Sequence, residues 1–446
     1  MRVLIVSWFF PPANTMGALR TGKFADYLIR QGHDIRVLTS ELPSDSPTLP
    51  VPAGCTLSRT RNADVNAVPR WLARTLRRAP RAAGNAPLRL SAASADPAGP
   101  AKVGPKKRLG RLYEDIVNFP DKQVGWLPGA VRAGWRIAES FRPDVVFATA
   151  PPFTGALVGS IIAGHRRSPL VVEMRDRWSD DPYRAVHGLR ARLEHRLERW
   201  VMGRSTGIVT VSEPWARTYA DAHQKPAVAV ANGFDPNDLA RAAERRVAPA
   251  SEHHLVIRHV GRIYPGRRDP SPLFAALARL APDQRAAIRV EFIGTSSGIA
   301  ELADRYGVRD NIATMPSVDH LDALKLQMDA DIVLLLQWND PAERGNVPGK
   351  LFEYLATRRP ILGHGDVGGV PASIIRARNA GLYDNDPERI AAFLRENLDE
   401  KRRSGVVPPN SPDVSAGFDR DSAYAYLTEF LVKCAGNKAA HMGAAR

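Results

Sequence analysis

The stretch Val347–Leu362, VPGKLFEYLATRRPIL, reads as a Pro-Gly turn, a short amphipathic helix and a buried strand in immediate succession. Pro348 suits the first helical position because it has no amide hydrogen to leave unpaired, and Gly349 lets a ligand approach the backbone closely. Lys350 and Glu353 are three residues apart and share a face, while Leu351, Tyr354 and Leu355 are spaced to pack on a sheet. A cation and a carboxylate therefore meet beside the amides of a helix start, where the helix dipole favours phosphate and Glu353 can accept from sugar hydroxyls. A diphosphate carrying a sugar satisfies both groups. An ordinary capped surface helix, with its Lys and Glu in water, fits the same residues.

Upstream, Leu255–Val260 is a strand followed by Gly261-Arg262-Ile263-Tyr264-Pro265-Gly266-Arg267-Arg268, a glycine-rich basic loop that enters a helix at Ser271. Loop amides with Arg262 and Arg268 suit a bidentate clamp on a diphosphate, and would neutralise charge as it builds on a departing nucleoside diphosphate. A solvated basic loop is the alternative. Val290–Ile293, Ile312–Met315 and Ile332–Leu336 read as further parallel strands, each followed by a helical pattern, and Gly363–Gly369 as a flexible connection without Walker spacing.

The amino-terminal half repeats the alternation. Val3–Ser7 is a strand, Phe9–Gly17 a loop containing Asn14, Ala18–Gln31 a helix ended by Gly32, and Asp34–Thr39 the next strand, with no G-x-G-x-x-G between them. After Trp126 come a helix to Phe141, a strand Val145–Thr149, a helix Thr154–His165 and a strand Leu170–Glu173. The sequence Glu173-Met174-Arg175-Asp176-Arg177-Trp178 then falls at a strand's carboxyl end, where open α/β sheets place their ligands. Its carboxylates and guanidiniums suit phosphate binding and handling of an acceptor proton; a salt-bridged loop is the alternative. A helix Leu189–Arg204, a strand Gly207–Val211 and a helix Ser212–His223 lead to Asn232-Gly233-Phe234-Asp235-Pro236, about halfway along the chain.

In its P-x-K-L-F-E-Y-L-A form the opening stretch resembles the donor-site segment of GT-B glycosyltransferases of the family 4 kind. The likeness extends to the loop carrying Gly17, to Glu173–Trp178 as a variant of D-x-R-D-x-W, to the N-G-F-D crossing between domains, and to the Arg262/Arg268 pair, where the family usually has Arg and then Lys. It covers nearly all of the chain outside about 62–125. Two departures stand out: Glu173 replaces the first acid of its motif, and Gly345 stands where many members carry the first of two glutamates, Glu343 being two positions out of register. The resemblance implies an α/β chain of two Rossmann-like domains facing each other across a cleft, with residues 1–235 on the acceptor side, 236–420 binding the nucleotide-sugar, and 421–446 a helix that crosses back and frays from Ala435. It implies sugar transfer to a hydroxyl with retention and without a metal or other cofactor. In that reading Arg262 and Arg268 stabilise the leaving diphosphate, and Gly17, Gly261, Gly349, Lys350 and Glu353 bind the donor. Pro316 and Ser317 meet the base, Asp176 positions the acceptor, and Glu173, Arg175 and Asn14 flank it.

Composition bounds the alternatives. The 446 residues suit two domains, and 44% hydrophobic with 24% charged residues is globular. No run of about 18 apolar residues and no signal-peptide pattern occur, so a cytoplasmic protein is expected. Cys55 and Cys434 are too few and too far apart for a disulfide framework. The net charge of +15 calls for a polyanionic neighbour. Between Arg61 and Arg111 twelve Lys or Arg face only Asp64 and Asp96, in an insert at about 62–110 rich in Ala and Pro, with Trp71, Leu72 and Leu76 beside Arg74, Arg77 and Arg78. An anionic membrane surface and a lipid-linked acceptor for surface-polysaccharide assembly are the expected partners. A soluble small-molecule acceptor, a GT-B sugar-nucleotide 2-epimerase and a basic nucleic-acid-binding protein are the rival readings, the last without a recognised reading module.

Overall fold

The computed structural model describes residues 1–41, 49–65, 116–184, 186–247, 253–264, 266–294 and 298–443, with side chains described as far as residue 436. Most of the basic insert, including Trp71–Arg78, lies outside the described residues. The chain divides into two compact units. One comprises Met1–Thr210, Trp215–Ala229 and Leu427–Arg446, the other Val211–Pro214 and Val230–Tyr426.

The first unit is built on seven parallel strands, β1 (Arg2–Val6), β2 (Asp34–Ser40), β3 (Thr56–Thr60), β4 (Val145–Ala150), β5 (Leu170–Met174), β6 (Gly207–Thr210) and β7 (Ala227–Ala229), in the order β3-β2-β1-β4-β5-β6-β7. The central strands are continuous apolar runs, with every residue of β4 and β5 buried, as expected where helices cover both faces of a parallel sheet. Helix Phe153–Arg166 lies so close on β4 that a side chain at Gly159 would meet the Ala148 methyl at 2.4 Å.

The second unit has six parallel strands, β8 (Leu255–Val260), β9 (Ile288–Ile293), β10 (Ile312–Met315), β11 (Ile332–Leu336), β12 (Ile361–His364) and β13 (Gly381–Tyr383), in the order β10-β9-β8-β11-β12-β13. Numbered from its own first strand this is 3-2-1-4-5-6, the doubly wound Rossmann order, whose direction reverses between β8 and β11. Each unit therefore has a crevice at the carboxyl ends of its central strands. The segment after Asn232 and the return near Arg420 run side by side: Phe234 N–H donates to Phe418 O (3.0 Å) and Arg420 N–H to Phe234 O (2.9 Å). Gly233 takes φ +63°, and a side chain there would meet Phe418 O at 2.9 Å.

Several boundaries differ from those expected. The first helix begins at Met16, because Thr15 Oγ1 accepts from Ala18 N–H (3.1 Å) and so caps it ahead of Gly17. Pro348 is the residue preceding helix Gly349–Thr357 rather than its first turn, with extended backbone and no side-chain cap. Strands β3 and β13 are short edge strands with too little apolar alternation to stand out in sequence. The last helix runs Arg420–Gly443.

Candidate active site

In the second unit three segments converge at the switch point. Lys350, in the first turn of helix Gly349–Thr357, donates from Nζ to Val260 O (2.9 Å), the last carbonyl of β8. Its ammonium passes over Gly261, where an added side chain would meet Nζ at 2.6 Å and where φ is +126°. Gly261 is thus required both by its backbone and by the lysine above it. Gly294, at the end of β9, approaches Gly261 and the hydroxyl of Ser317, which follows β10 beside exposed Pro316.

The loop after β8 adds the cations. Arg268 is half-buried, lies over the Tyr264 ring (4.6 Å) and donates from Nη1 to Arg262 O (3.0 Å), while its Nε is buried without a hydrogen-bond partner. Arg262 is exposed. Burial, then repulsion from Arg268, drives the Lys350 pKa down to about 7 against the pull of Glu353. Glu353 accepts from Gln327 Nε2 (3.3 Å) and leaves the rest of its half-buried carboxylate available. Cations thus crowd the uncapped start of a helix, whose first amides have no intrahelical acceptor. Such a site has the charge and the donors for a diphosphate. Glu343, near the missing first carboxylate, is buried and accepts from Asn346 Nδ2 (2.6 Å).

The constellation in the first unit is different. Glu173 is buried and fully engaged: Arg20 donates to Oε1 from Nε (2.9 Å) and reaches it with Nη2 (2.8 Å), and Thr149 Oγ1–H donates to Oε2 (2.6 Å). Burial pushes this carboxyl up, but Arg20, then Arg175, and the Thr149 hydrogen bond outweigh it and hold it below the usual range. Glu173, expected beside the acceptor, thus has its charge engaged by Arg20 and Thr149 within the first unit. Arg175 donates from Nε to Ala150 O (3.3 Å) and from Nη2 to Pro151 O, and its guanidinium lies across Gly17, where a side chain would meet Nη1 at 2.5 Å. Gly17 thus makes room for Arg175. Asp176 is reached by solvent yet crowded by protein, and that crowding raises its carboxyl pKa against the pull of Arg175. Asn14 is exposed in the loop before the first helix.

Three groups at these strand ends carry no signal in the local sequence. Asp121 caps helix Phe153–Arg166 from 33 residues away, accepting from Thr154 N–H (2.9 Å) and Oγ1–H (2.7 Å). Arg20 finds Glu173 across 153 positions. His259 is buried on β8, with Nδ1 2.9 Å from Leu334 O and its other nitrogen unpartnered. Among the described residues no three His, Cys, Asp or Glu side chains are placed to hold a metal ion. Asp180 pairs with Arg177, and Asp384 with Arg389 (2.5 Å).

Comparison with known proteins agrees with this geometry. Residues 92–238 match the model of Glycosyltransferase Family 4. A D-inositol 3-phosphate glycosyltransferase of Segniliparus rotundus is 31% identical over 188 residues, covering 39% of this chain and 40% of that protein, so the chain matches well under half the length of this curated relative. Among solved structures, a sucrose-phosphate synthase from Thermosynechococcus elongatus superposes with a TM-score of 0.62 at 13% identity, over 97% of this chain and 98% of that one. Anabaena HepE, solved with UDP and glucose, gives 0.57 at 13% identity, over 97% and 100%. The two parallel sheets and these shared folds give the chain the GT-B architecture, and over residues 92–238 it is similar to glycosyltransferase family 4.

Proposed function

We propose that this protein transfers a sugar from a nucleotide-sugar to a hydroxyl acceptor, with retention of anomeric configuration. The observation that carries the proposal is the convergence of Lys350 and the start of the uncapped helix Gly349–Thr357 on Gly261, at the switch point of a Rossmann sheet, with Arg268 near enough to Lys350 to repel its charge. The family match and the UDP-and-glucose complex of a protein sharing the fold support it. In this reading Arg262, Arg268 and Lys350 hold the diphosphate and stabilise the charge that accumulates on it as the glycosidic bond breaks. Glu353 accepts hydrogen bonds from donor hydroxyls, and Pro316 and Ser317 meet the nucleobase. Asp176, with its raised pKa, positions the acceptor hydroxyl. No metal is assigned a role, since the arginines and lysine supply the positive charge.

The acceptor is proposed to be a lipid-linked glycan intermediate in surface-polysaccharide assembly, the role suggested by the strongly basic chain. A thermal-shift screen with UDP, GDP, ADP and TDP tests the donor half: a nucleotide at a hundredfold its Kd adds about 2.7 kcal/mol of stability. Incubation with the corresponding nucleotide-sugar alone, followed by NMR of the sugar, separates transfer from epimerisation. Inversion at the second carbon of the free donor sugar, without any acceptor, would assign the site to an epimerase instead.

A further inference from the structure

Helix Gly188–Arg204, between β5 and β6, turns both of its carboxylates inward. Glu194 is buried and accepts from Arg184 (2.7 and 3.0 Å) and from Arg190 Nε (2.9 Å), and Glu198 is buried and accepts from Ser179 N–H (3.1 Å). Val201 and Met202 complete the inward face. The opposite face is unusual for a surface helix. Leu189, Leu193 and Trp200 are 72%, 42% and 37% exposed, and at 3.6 residues per turn they fall with Arg196 inside an arc of about 60° directed away from the core. Arg192 and Arg199 flank this stripe; like Arg196 they are exposed and carry no ion pair among the described residues, and Arg204 lies over the Trp200 ring at 3.9 Å. The helix therefore presents large apolar side chains and unneutralised guanidiniums together, with no acidic residue between them.

We propose that this face docks on an anionic lipid surface, with Leu189, Leu193 and Trp200 entering the headgroup boundary and the arginines engaging lipid phosphates. Charge selects the occupant: an outward face whose charged groups are all arginines suits a dense field of anions, which phospholipid headgroups supply, while the long arginine stems cover apolar surface as their heads stay in water. Helix Phe153–Arg166 packs alongside and, like helix Gly188–Arg204, leads into the next parallel strand, so the two run in the same direction. Exposed Arg166 and Arg167 thus extend the basic surface at the end marked by Arg204, where His165 pairs with Glu139 (3.2 Å). No described helix is long and apolar enough to cross a membrane, so this contact lies in the surface plane. The proposal does not depend on which sugar or acceptor the protein uses.

The test is co-sedimentation of the full chain with vesicles of phosphatidylcholine mixed with phosphatidylglycerol and with vesicles of phosphatidylcholine alone. Wild type is expected to bind the mixed vesicles and not the neutral ones. The Leu189→Gln/Leu193→Gln/Trp200→Gln variant should partition at least about tenfold more weakly at an unchanged thermal midpoint. The Arg192→Gln/Arg196→Gln/Arg199→Gln variant should lose most of the salt-sensitive binding, which keeps the test decisive if the first variant folds poorly. Deleting residues 80–107 should leave substantial binding. Failure of wild type to bind either vesicle overturns the proposal. So does wild-type binding by both variants, or loss of a dimer in the apolar variant with vesicle binding unchanged, which would assign the face to a second copy of the chain.

Discussion

The two crevices share a fold and a chain direction but differ in electrostatic completion. In the first unit each buried charge has found a partner within the protein: Glu173 is held by Arg20 and Thr149, and Arg175 is spent on the carbonyls of Ala150 and Pro151. In the second, Lys350 and Arg268 repel each other over Gly261 with Glu353 as the nearby carboxylate, and Arg268 Nε lacks a partner. A pre-arranged cluster of cations that depresses its own lysine is stable only because the fold holds it, and it is completed by an anion. The first crevice is neutralised from within, and the second keeps an excess of cations, as the proposed donor site requires.

Breaking the pairing in the first crevice should cost the most. Arg20→Leu removes the ion-pair partner of buried Glu173 and leaves it Thr149 and Arg175, so unfolding in urea is expected to show a loss of about 3–5 kcal/mol; under about 1 kcal/mol would mean that the carboxylate protonates, escapes to water or is held well enough by those two. The binding site should respond in catalysis rather than in stability. Arg268→Ala is expected to lower kcat by a factor of about 10² to 10³ with little change in thermal midpoint, since one electrostatic stabiliser of a leaving group is typically worth about 2.7–4 kcal/mol. Retained kcat with only KM raised would place Arg268 in ground-state binding alone.

A smaller effect is expected at Glu353. Glu353→Gln keeps the shape and weakens acceptance from donor hydroxyls, so kcat/KM should fall by about 1.5–3 kcal/mol in a folded protein. Unchanged kcat/KM would return this residue to a solvated helix face. The smallest effect sharpens the contrast by pH. Lys350 titrates near 7 in the free protein, charged below and neutral above, so affinity for a nucleotide-sugar should be greatest below pH 7 and weaken as pH rises through it. Binding should take up protons in that window, because a bound diphosphate raises the lysine's pKa. Isothermal titration in two buffers of different ionisation heat measures that uptake. Lys350→Met should abolish it, and uptake that persists in the variant would locate the proton elsewhere.

Much of the fold was legible because parallel strands buried on both faces are continuous apolar runs: Val145–Thr149 and Ile332–Leu336 announce themselves. The edge strands Thr56–Thr60 and Gly381–Tyr383 did not, since an edge needs fewer apolar residues. At the site, Gly261, Arg262, Arg268, Lys350 and Glu353 could be named because each lies in a short segment whose local chemistry already suits phosphate or sugar. Glu173 was named on the same ground, without sight of its partners. A carboxylate at a strand's carboxyl end looks available until its partners are known, and Arg20 and Thr149 lie 153 and 24 positions away.

The sequence by itself determined the alternation of strand and helix, the two-unit plan and the residue types of the phosphate site, because these depend on local periodicity and on chemistry within a few residues. Only the tertiary structure decided which charges are spent and which remain. It placed Lys350 on Val260 O, set Arg175 across Gly17, and turned Glu194 and Glu198 inward so that the opposite face of their helix carries only apolar residues and arginines. The physical reason is that burial and ion pairing are set by what packs against a side chain from elsewhere in the chain, and those neighbours are chosen by sheet order, which no local stretch encodes.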